Sequence, residues 1–497
     1  MSNRATPNNN TKTSRGNGSH EIFQKVGRAG AVDDQIHESS ASDNDQVKTA
    51  ADFQEVPAGA VEKGNIFEQG GKNYRTLGRW DTILILFTNQ LGLGILSLPS
   101  TIKTLGIVPG IIAIIGIGFL SWYSAFELLQ FYSKHPNVVS IVEMTRVVGG
   151  PWFESIAGVV MMIQVVFIVA SAVVTLSVAL NTLSNHGTCT VVFILVSCIG
   201  CYILSIPRTM KFVSKAGIPN AVSVVGACMV VLVSLAVSGP NNKPDDWARD
   251  IVIVGHPSFR DGLNACLRAV FSYAGTFTFV SYMAEMKDPA RDFGFSLAVL
   301  EIGSTVFYVI MAVVLYCLSA ELTTSPVLSA AATIPAKVAY GIILPAVIAT
   351  ALSIGHTGCK YLYVAALRKM NALNQVTDNS VKSWTTWVIS VSAFWVLIFT
   401  ISNVIPIFDS ILSITSATTI PWFTYGFAAI FWFYSNWDVK FSNWRKISLT
   451  IVNVLIILAT FFLNAGGLWA AITELLDLFD KGDGIGGVFS CGNNAIF

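Results

Sequence analysis

The chain has 497 residues, 53% of them hydrophobic and 12% charged, roughly half the charged share of an ordinary soluble domain. A formal net charge of +1 supplies neither the basic excess that nucleic acid calls for nor an acidic solvating surface. Composition thus argues against a soluble globular domain and a nucleic-acid partner, and points to the lipid bilayer.

Residues 1–79 are rich in Asn, Ser, Gly, Asp, Glu and Lys and carry no apolar run of signal-peptide type, so they read as a disordered tail. From Trp80 onward apolar stretches follow one another, each near the roughly 20 residues that a helix needs to cross a hydrocarbon core. The pattern predicts an all-α polytopic membrane protein with helices over 80–103, 108–132, 153–180, 188–206, 216–237, 262–286, 294–320, 336–367, 384–404, 409–434 and 447–472. The two segments flanking Ile405-Pro406-Ile407 are separated because about 50 apolar residues are too many for one crossing. Residues 80–472 form the transmembrane domain and 473–497 a C-terminal tail. Lys and Arg divide roughly 16 to 6 between the two sides if the N-terminus is inside, so the positive-inside rule places the N-terminus in the cytosol and the C-terminus outside. The sequons at Asn9 and Asn17 fall in the inner tail and do not bear on this.

The eight cysteines show neither a secreted-domain nor a zinc spacing, and redox chemistry is not expected. Cys198 and Cys201, a Cys-x-x-Cys inside a predicted helix, read as packing residues. Gly482, Gly484 and Gly487 fit Gly-x-Gly-x-x-Gly but follow no strand, and read as flexible chain.

Two predicted helices carry breaks. The first reads Asn89-Gln90-Leu91-Gly92-Leu93-Gly94-Ile95-Leu96-Ser97-Leu98-Pro99, and the sixth Phe271-Ser272-Tyr273-Ala274-Gly275-Thr276-Phe277-Thr278-Phe279. Small residues in one membrane helix are as consistent with close packing as with a site. Two breaks five helices apart, in helices of opposite direction, instead suggest an inverted repeat with a midplane binding site. Freed N–H and C=O groups in lipid need partners, and a zwitterion offers both charges.

At these residues the sequence resembles the amino acid/auxin permease family of the amino acid-polyamine-cation superfamily. Gly92, Gly94, Ile95, Leu96, Leu98 and Pro99 match the family's Gly-x-Gly-Ile-Leu-x-Leu-Pro, and Glu285-Met286-Lys287-Asp288-Pro289 resembles its Glu-Met-x-x-Pro after helix six. The long tail, eleven spans and Ser-Ile-Gly-His of helix eight look most like fungal neutral amino acid permeases. The resemblance implies a LeuT-like five-plus-five inverted repeat with one additional helix, and proton-driven import of neutral aliphatic and aromatic amino acids across the plasma membrane. An intramembrane enzyme is not expected, because clustered His and carboxylates, or a Ser/Lys or Asp pair at matched depth, are absent from the sequence, and no cofactor or metal is expected.

Asn89, Gly92, Leu93, Gly94, Ile95, Phe271, Tyr273, Gly275 and Thr276 are the candidate substrate-binding residues. Phe167 and Phe277 are nearby aromatics, and no acid is expected at the pocket centre, which favours a neutral substrate. Ser353, His356, Thr357 and Lys360 are placed on one face of helix eight, and Glu301 about 10 Å into helix seven. His356, Glu301 and the hydroxyls of Ser353 and Thr357 are the candidates for a coupling ion, with His356 in the place near the first break that sodium holds in related transporters. His356 reads equally as a hydrogen-bonded packing residue, and Glu301 as a structural pair. Glu285, Lys215 and Arg268 read as gate salt bridges or interfacial anchors. Sodium coupling, a vacuolar location and an amino-acid sensor stay open as alternatives. The tail's Ser, Thr and Lys residues suit a regulatory kinase or ubiquitin machinery.

Overall fold

A computed structural model describes residues 75, 77–208, 217–372, 380–481 and 488–494, all within the unit Gly64–Phe497. Residues 1–74 of the predicted tail, Lys215 and the glycines at 482–487 lie outside the described residues.

The described residues are mostly helical. In order the helices are α1 (Arg79–Gln90), α2 (Leu98–Leu105), α3 (Ile107–Lys134), α4 (Ile141–Ser184), α5 (Thr190–Ser205), α6 (Gly217–Ser238) and α7 (Phe259–Ser272). They continue with α8 (Phe279–Glu285), α9 (Pro289–Ser319), α10 (Thr333–Lys369), α11 (Val381–Val404), α12 (Phe408–Thr418), α13 (Phe427–Asn436) and α14 (Trp444–Lys481). Among the described residues seven helices are each long and apolar enough to cross a membrane: α3, α4, α6, α9, α10, α11 and α14. An eighth candidate is the pair α1 and α2, bent by 42°. The remaining three predicted segments coincide with the 16-residue apolar α5 and with two interrupted helices, α7–α8 and α12–α13.

Differences from the expected boundaries have local causes. The third predicted helix begins earlier, because Ser140 caps α4: its hydroxyl accepts the Glu143 N–H at 3.2 Å while the Glu143 carboxylate accepts the Val139 N–H at 2.8 Å. Gly150, at φ 71°, then re-aims the chain and Pro151 opens the long second part. The tenth predicted segment, read as continuous, is broken after Thr418 and re-forms through a π-turn over Trp422–Gly426. Helix α14 runs to Lys481 rather than stopping at 472, so part of the expected C-terminal tail is helix. Ordered chain also begins before residue 80. The Leu77 N–H donates to the Glu285 carbonyl, the Lys287 N–H donates to the Leu77 carbonyl, both at 3.1 Å, and Arg79 pairs with Asp292 at 2.5 Å.

The Glu-Met-Lys-Asp-Pro stretch thereby acquires a physical meaning. Glu285 ends α8, Met286 is extended backbone opposite Leu77, the Asp288 carboxylate caps α9 by accepting the Arg291 N–H at 3.2 Å, and Pro289 occupies the first helical turn. These contacts gather the ends of α1, α8 and α9 at one end of the molecule.

Candidate functional site

Both breaks have the same construction. Helix α1 stops at Gln90, Leu91 and Gly92 are non-helical, and a five-residue 3-10 turn over Leu93–Ser97 leads into α2. Helix α7 stops at Ser272, Tyr273 is non-helical, and a five-residue 3-10 turn over Ala274–Thr278 leads into α8. The two breaks touch. A Cβ added to Gly94 would fall 2.6 Å from the Ser272 Cα, so only glycine lets one break lie against the other's backbone. At Gly275 the nearest atom to an added Cβ is the Gln90 Oε1, at 2.9 Å, the end of a flexible side chain.

A cavity opens where the breaks meet. Of the nine expected binding residues, Asn89, Gly92, Leu93, Gly94, Phe271 and Gly275 line it. Ile95, Tyr273 and Thr276 are buried but do not. The Tyr273 ring points away: its hydroxyl lies 3.2 Å from the Ile114 carbonyl and 3.0 Å from the Thr305 hydroxyl. The other walls come from residues the sequence pattern did not single out as ligands: Gln90, Ser272, Ala274 and Thr278 at the breaks, Ile168 of α4, and Thr350 and Ile354 of α10. Phe277 lines the cavity; Phe167 does not, its neighbour Ile168 taking that place. No acid or base is among the lining residues.

Behind the breaks, Tyr308 of α9 joins them. Its hydroxyl is 2.6 Å from the Gln90 carbonyl and 3.0 Å from the Ser272 carbonyl, the last residues of α1 and α7. Carbonyls at a helix C-terminus lack helical donors and carry the negative end of the dipole. One hydroxyl proton serves only one of them at a time. Two turns earlier on α9, buried Glu301 accepts from the Gln90 Nε2 at 3.5 Å through Oε1. Its Oε2 and the Gln90 Oε1 have no hydrogen-bond partner. Because α9 begins at Pro289, Glu301 stands about 18 Å along the helix, deeper than the expected 10 Å.

On α10, Ser353, His356, Thr357 and Lys360 fall within about 100° of arc, but His356 is at the edge of that arc turned from the cavity. Thr350 and Ile354 face the cavity, and at 3.6 residues per turn His356 points about 140° away from them. Its Nε2 lies 3.1 Å from the Arg208 carbonyl and its ring meets Trp387 of α11 edge-on at 5.2 Å. His356 therefore packs against α11 and the end of α5, not beside the first break. Thr357 and Lys360 are exposed and Ser353 half-buried, on a stripe running from the cavity towards the Lys369 end of α10.

An ion-pair cluster lies on α7 before its break. Arg268, one turn before the cavity-lining Phe271 and Ser272, has its side chain only 6% exposed. Its Nη1 is 3.6 Å from Asp409 of α12 and 3.9 Å from Glu474 of α14, and its Nη2 is 3.4 Å from the Thr104 hydroxyl of α2. Asp409 also accepts from the Ser325 hydroxyl. At the break itself, the Asn89 amide donates to the Tyr282 hydroxyl, linking the last turn of α1 to α8.

Among the described residues no group of three His, Cys, Asp or Glu side chains is disposed to hold a metal ion. The arrangement can hold a small molecule between backbone groups of two broken helices, with apolar and hydroxyl side chains around it.

Residues 75–473 match the family model described as transmembrane amino acid transporter protein. The N amino acid transport system protein of Neurospora crassa is 27% identical over 433 residues, covering 85% of this chain and 90% of that protein. A transmembrane transporter of Fusarium pseudograminearum is 27% identical over 462 residues, covering 90% and 95%. Among solved structures, MhsT in complex with L-phenylalanine aligns with a TM-score of 0.45 at 15% identity, covering 82% of this chain and 99% of that one. The family match spans both breaks, the Tyr308–Glu301 helix and the Arg268–Asp409 pair, and the chain belongs to the transmembrane amino acid transporter protein family.

Proposed function

We propose that this transporter imports neutral amino acids by proton symport across the plasma membrane, through eleven spans arranged as two inverted five-helix units and an additional helix. One observation carries the substrate class: the cavity between the breaks is lined without a single acid or base. A cationic or anionic substrate side chain would enter it unpaired, at a cost of several kcal/mol. The substrate's own carboxylate and ammonium find partners in the N–H and C=O groups that the breaks free from helical bonding. Phe271, Phe277, Ile168 and Ile354 offer apolar surface to aliphatic or aromatic side chains.

For the proton, the pair Glu301 and Gln90 is the better-placed carrier, because His356 lies on the far face of α10. An acid and an amide can form two reciprocal hydrogen bonds. One contact is already present from Gln90 Nε2 to Glu301 Oε1; a proton on Oε2 supplies the missing donor for the unpartnered Gln90 Oε1. Binding of that proton tightens the end of α1 at the cavity, and its release loosens it. The Arg268 cluster then acts as the outer gate, and the stripe from Thr350 through Thr357 as the inward path. Orientation with the N-terminus in the cytosol follows from the distribution of Lys and Arg.

The test is uptake of a labelled amino-acid panel by vesicles containing the full chain under imposed proton or sodium gradients. Neutral amino acids accumulate with an inward proton gradient and are indifferent to sodium. Accumulation of lysine or glutamate in preference to leucine or phenylalanine would reject the substrate class.

A further inference from the structure

Cys189 and Cys491 form a disulfide across 302 residues of sequence, while the other six cysteines are free. Cys189 precedes α5, in the turn that follows α4, and Cys491 belongs to the segment 488–494 after α14. That segment was expected to be loose tail. It is instead held across the ends of three helices.

Beside the disulfide, the Thr190 hydroxyl donates to the Gly492 carbonyl at 2.6 Å. The Asn181 amide donates to the Asn494 side chain at 2.6 Å and to Thr190 at 3.0 Å, and the Asn494 amide donates to the Ser177 hydroxyl at 2.8 Å. Ser177, Asn181 and Thr190 are all buried and Gly492 and Asn494 half-buried, so these bonds reach into the helix packing and are not casual surface contacts. At the other end of the segment the Phe489 N–H donates to the Asn403 carbonyl at 3.2 Å, and its ring meets Phe399 edge-on at 6.2 Å. The segment thereby fastens α4 and α5 to the end of α11. Helix α4 also supplies Ile168 to the cavity wall, and α11 packs against α10, which supplies Thr350 and Ile354.

Disulfides persist in oxidising compartments and are kept reduced in the cytosol. The Cys189 end of α5 is also the end that the Lys and Arg distribution assigns to the outside. We propose that residues 488–494 are an extracytosolic, redox-sensitive brace, which the Cys189–Cys491 bond keeps locked across α4, α5 and α11 and which external reduction releases. None of its residues lines the cavity, so it acts on the stability of the wall rather than on substrate contacts. Release by a phosphine reductant balances simply. Phosphorus takes the oxygen of one water and becomes a phosphine oxide, and two electrons and two protons leave as the Cys189 and Cys491 thiols.

The experiment uses intact cells expressing the full chain, a membrane-impermeant phosphine and an impermeant polyethylene-glycol maleimide. After reduction the wild-type chain should gain two mass tags more than a Cys189→Ser/Cys491→Ser variant, and none more without reduction. Tagging of the pair without reductant, or only after permeabilisation, would overturn the brace or its sidedness. Reduction should also lower the melting midpoint of the purified wild-type chain by about 5 °C and leave the double variant unmoved. Maximal uptake should fall at least twofold with KM within twofold of its oxidised value. A bond shown to be reduced, with melting and uptake both unchanged, would leave a disulfide without a bracing role. The uptake arm rests on the transport reading; tagging and melting do not, so the two failures are distinguishable.

Discussion

The Tyr308 hydroxyl lies 2.6 Å from the carbonyl of Gln90, the residue at which α1 stops. The same oxygen is 3.0 Å from the Ser272 carbonyl at the stop of α7, so one phenol holds two helix ends at the cavity. Tyr308→Phe keeps the ring and removes the donor. The Gln90 carbonyl keeps the Gly92 N–H at 2.9 Å, but the two helix ends lose the hydroxyl they share, and uptake efficiency should fall about tenfold at equal surface abundance. Unchanged kcat/KM in labelled-substrate uptake would show that the carbonyls do not depend on this residue.

Gly94 and Gly275 should respond differently to alanine, although both lie in breaks. The added methyl at Gly94 meets the Ser272 backbone, which cannot step aside without opening the packed breaks. At Gly275 it meets the Gln90 side chain, which can turn. Gly94→Ala should abolish uptake while the chain still reaches the membrane; Gly275→Ala should retain a measurable fraction. Equal activities for the two variants would contradict the contact between the breaks.

Arg268 faces Asp409 and Glu474 one turn beyond the cavity. In Arg268→Gln the two carboxylates lose their shared cation, and the proposed outer gate is weakened. A Phe271→Cys reporter should then react with an external impermeant thiol reagent several-fold faster than in the Arg268 background. An equal rate in the two backgrounds would remove Arg268 from the gate.

The N-terminal tail is expected to set abundance and not affinity. Deleting residues 1–69 leaves Leu77, Arg79 and their contacts to Glu285 and Asp292 in place. Surface abundance or turnover should change, with KM within twofold of the full chain. A large shift in KM would instead connect the tail to the binding site.

How far the sequence was legible depends on how local each signal is. The helices and both breaks follow from apolar length and from glycine, proline and hydroxyl residues within short windows, and six of nine expected ligands line the cavity. Misreadings came where phase or distance along the chain decides. His356 shares helix α10 with Thr350 and Ile354, but a few residues of turn carry it to the opposite side. Tyr308 looked like an ordinary helix residue, and Gln90, though within the first break, was not taken as its partner, since their pairing spans 218 positions. Cys189 and Cys491 are 302 apart, and no spacing rule connects them. Thr350 and Ile354 carry no mark in the sequence that separates a cavity wall from ordinary packing.

The most direct measurement is accumulation of a neutral amino acid by proteoliposomes under an imposed proton gradient, comparing the full chain with Glu301→Gln and His356→Ala. The wild-type chain should concentrate leucine or phenylalanine as external pH falls, and a protonophore should abolish the effect. Glu301→Gln should still exchange labelled for unlabelled substrate without concentrating it, and His356→Ala should concentrate substrate with its pH dependence intact. Undiminished, pH-driven accumulation by Glu301→Gln would contradict proton coupling at the Glu301–Gln90 pair.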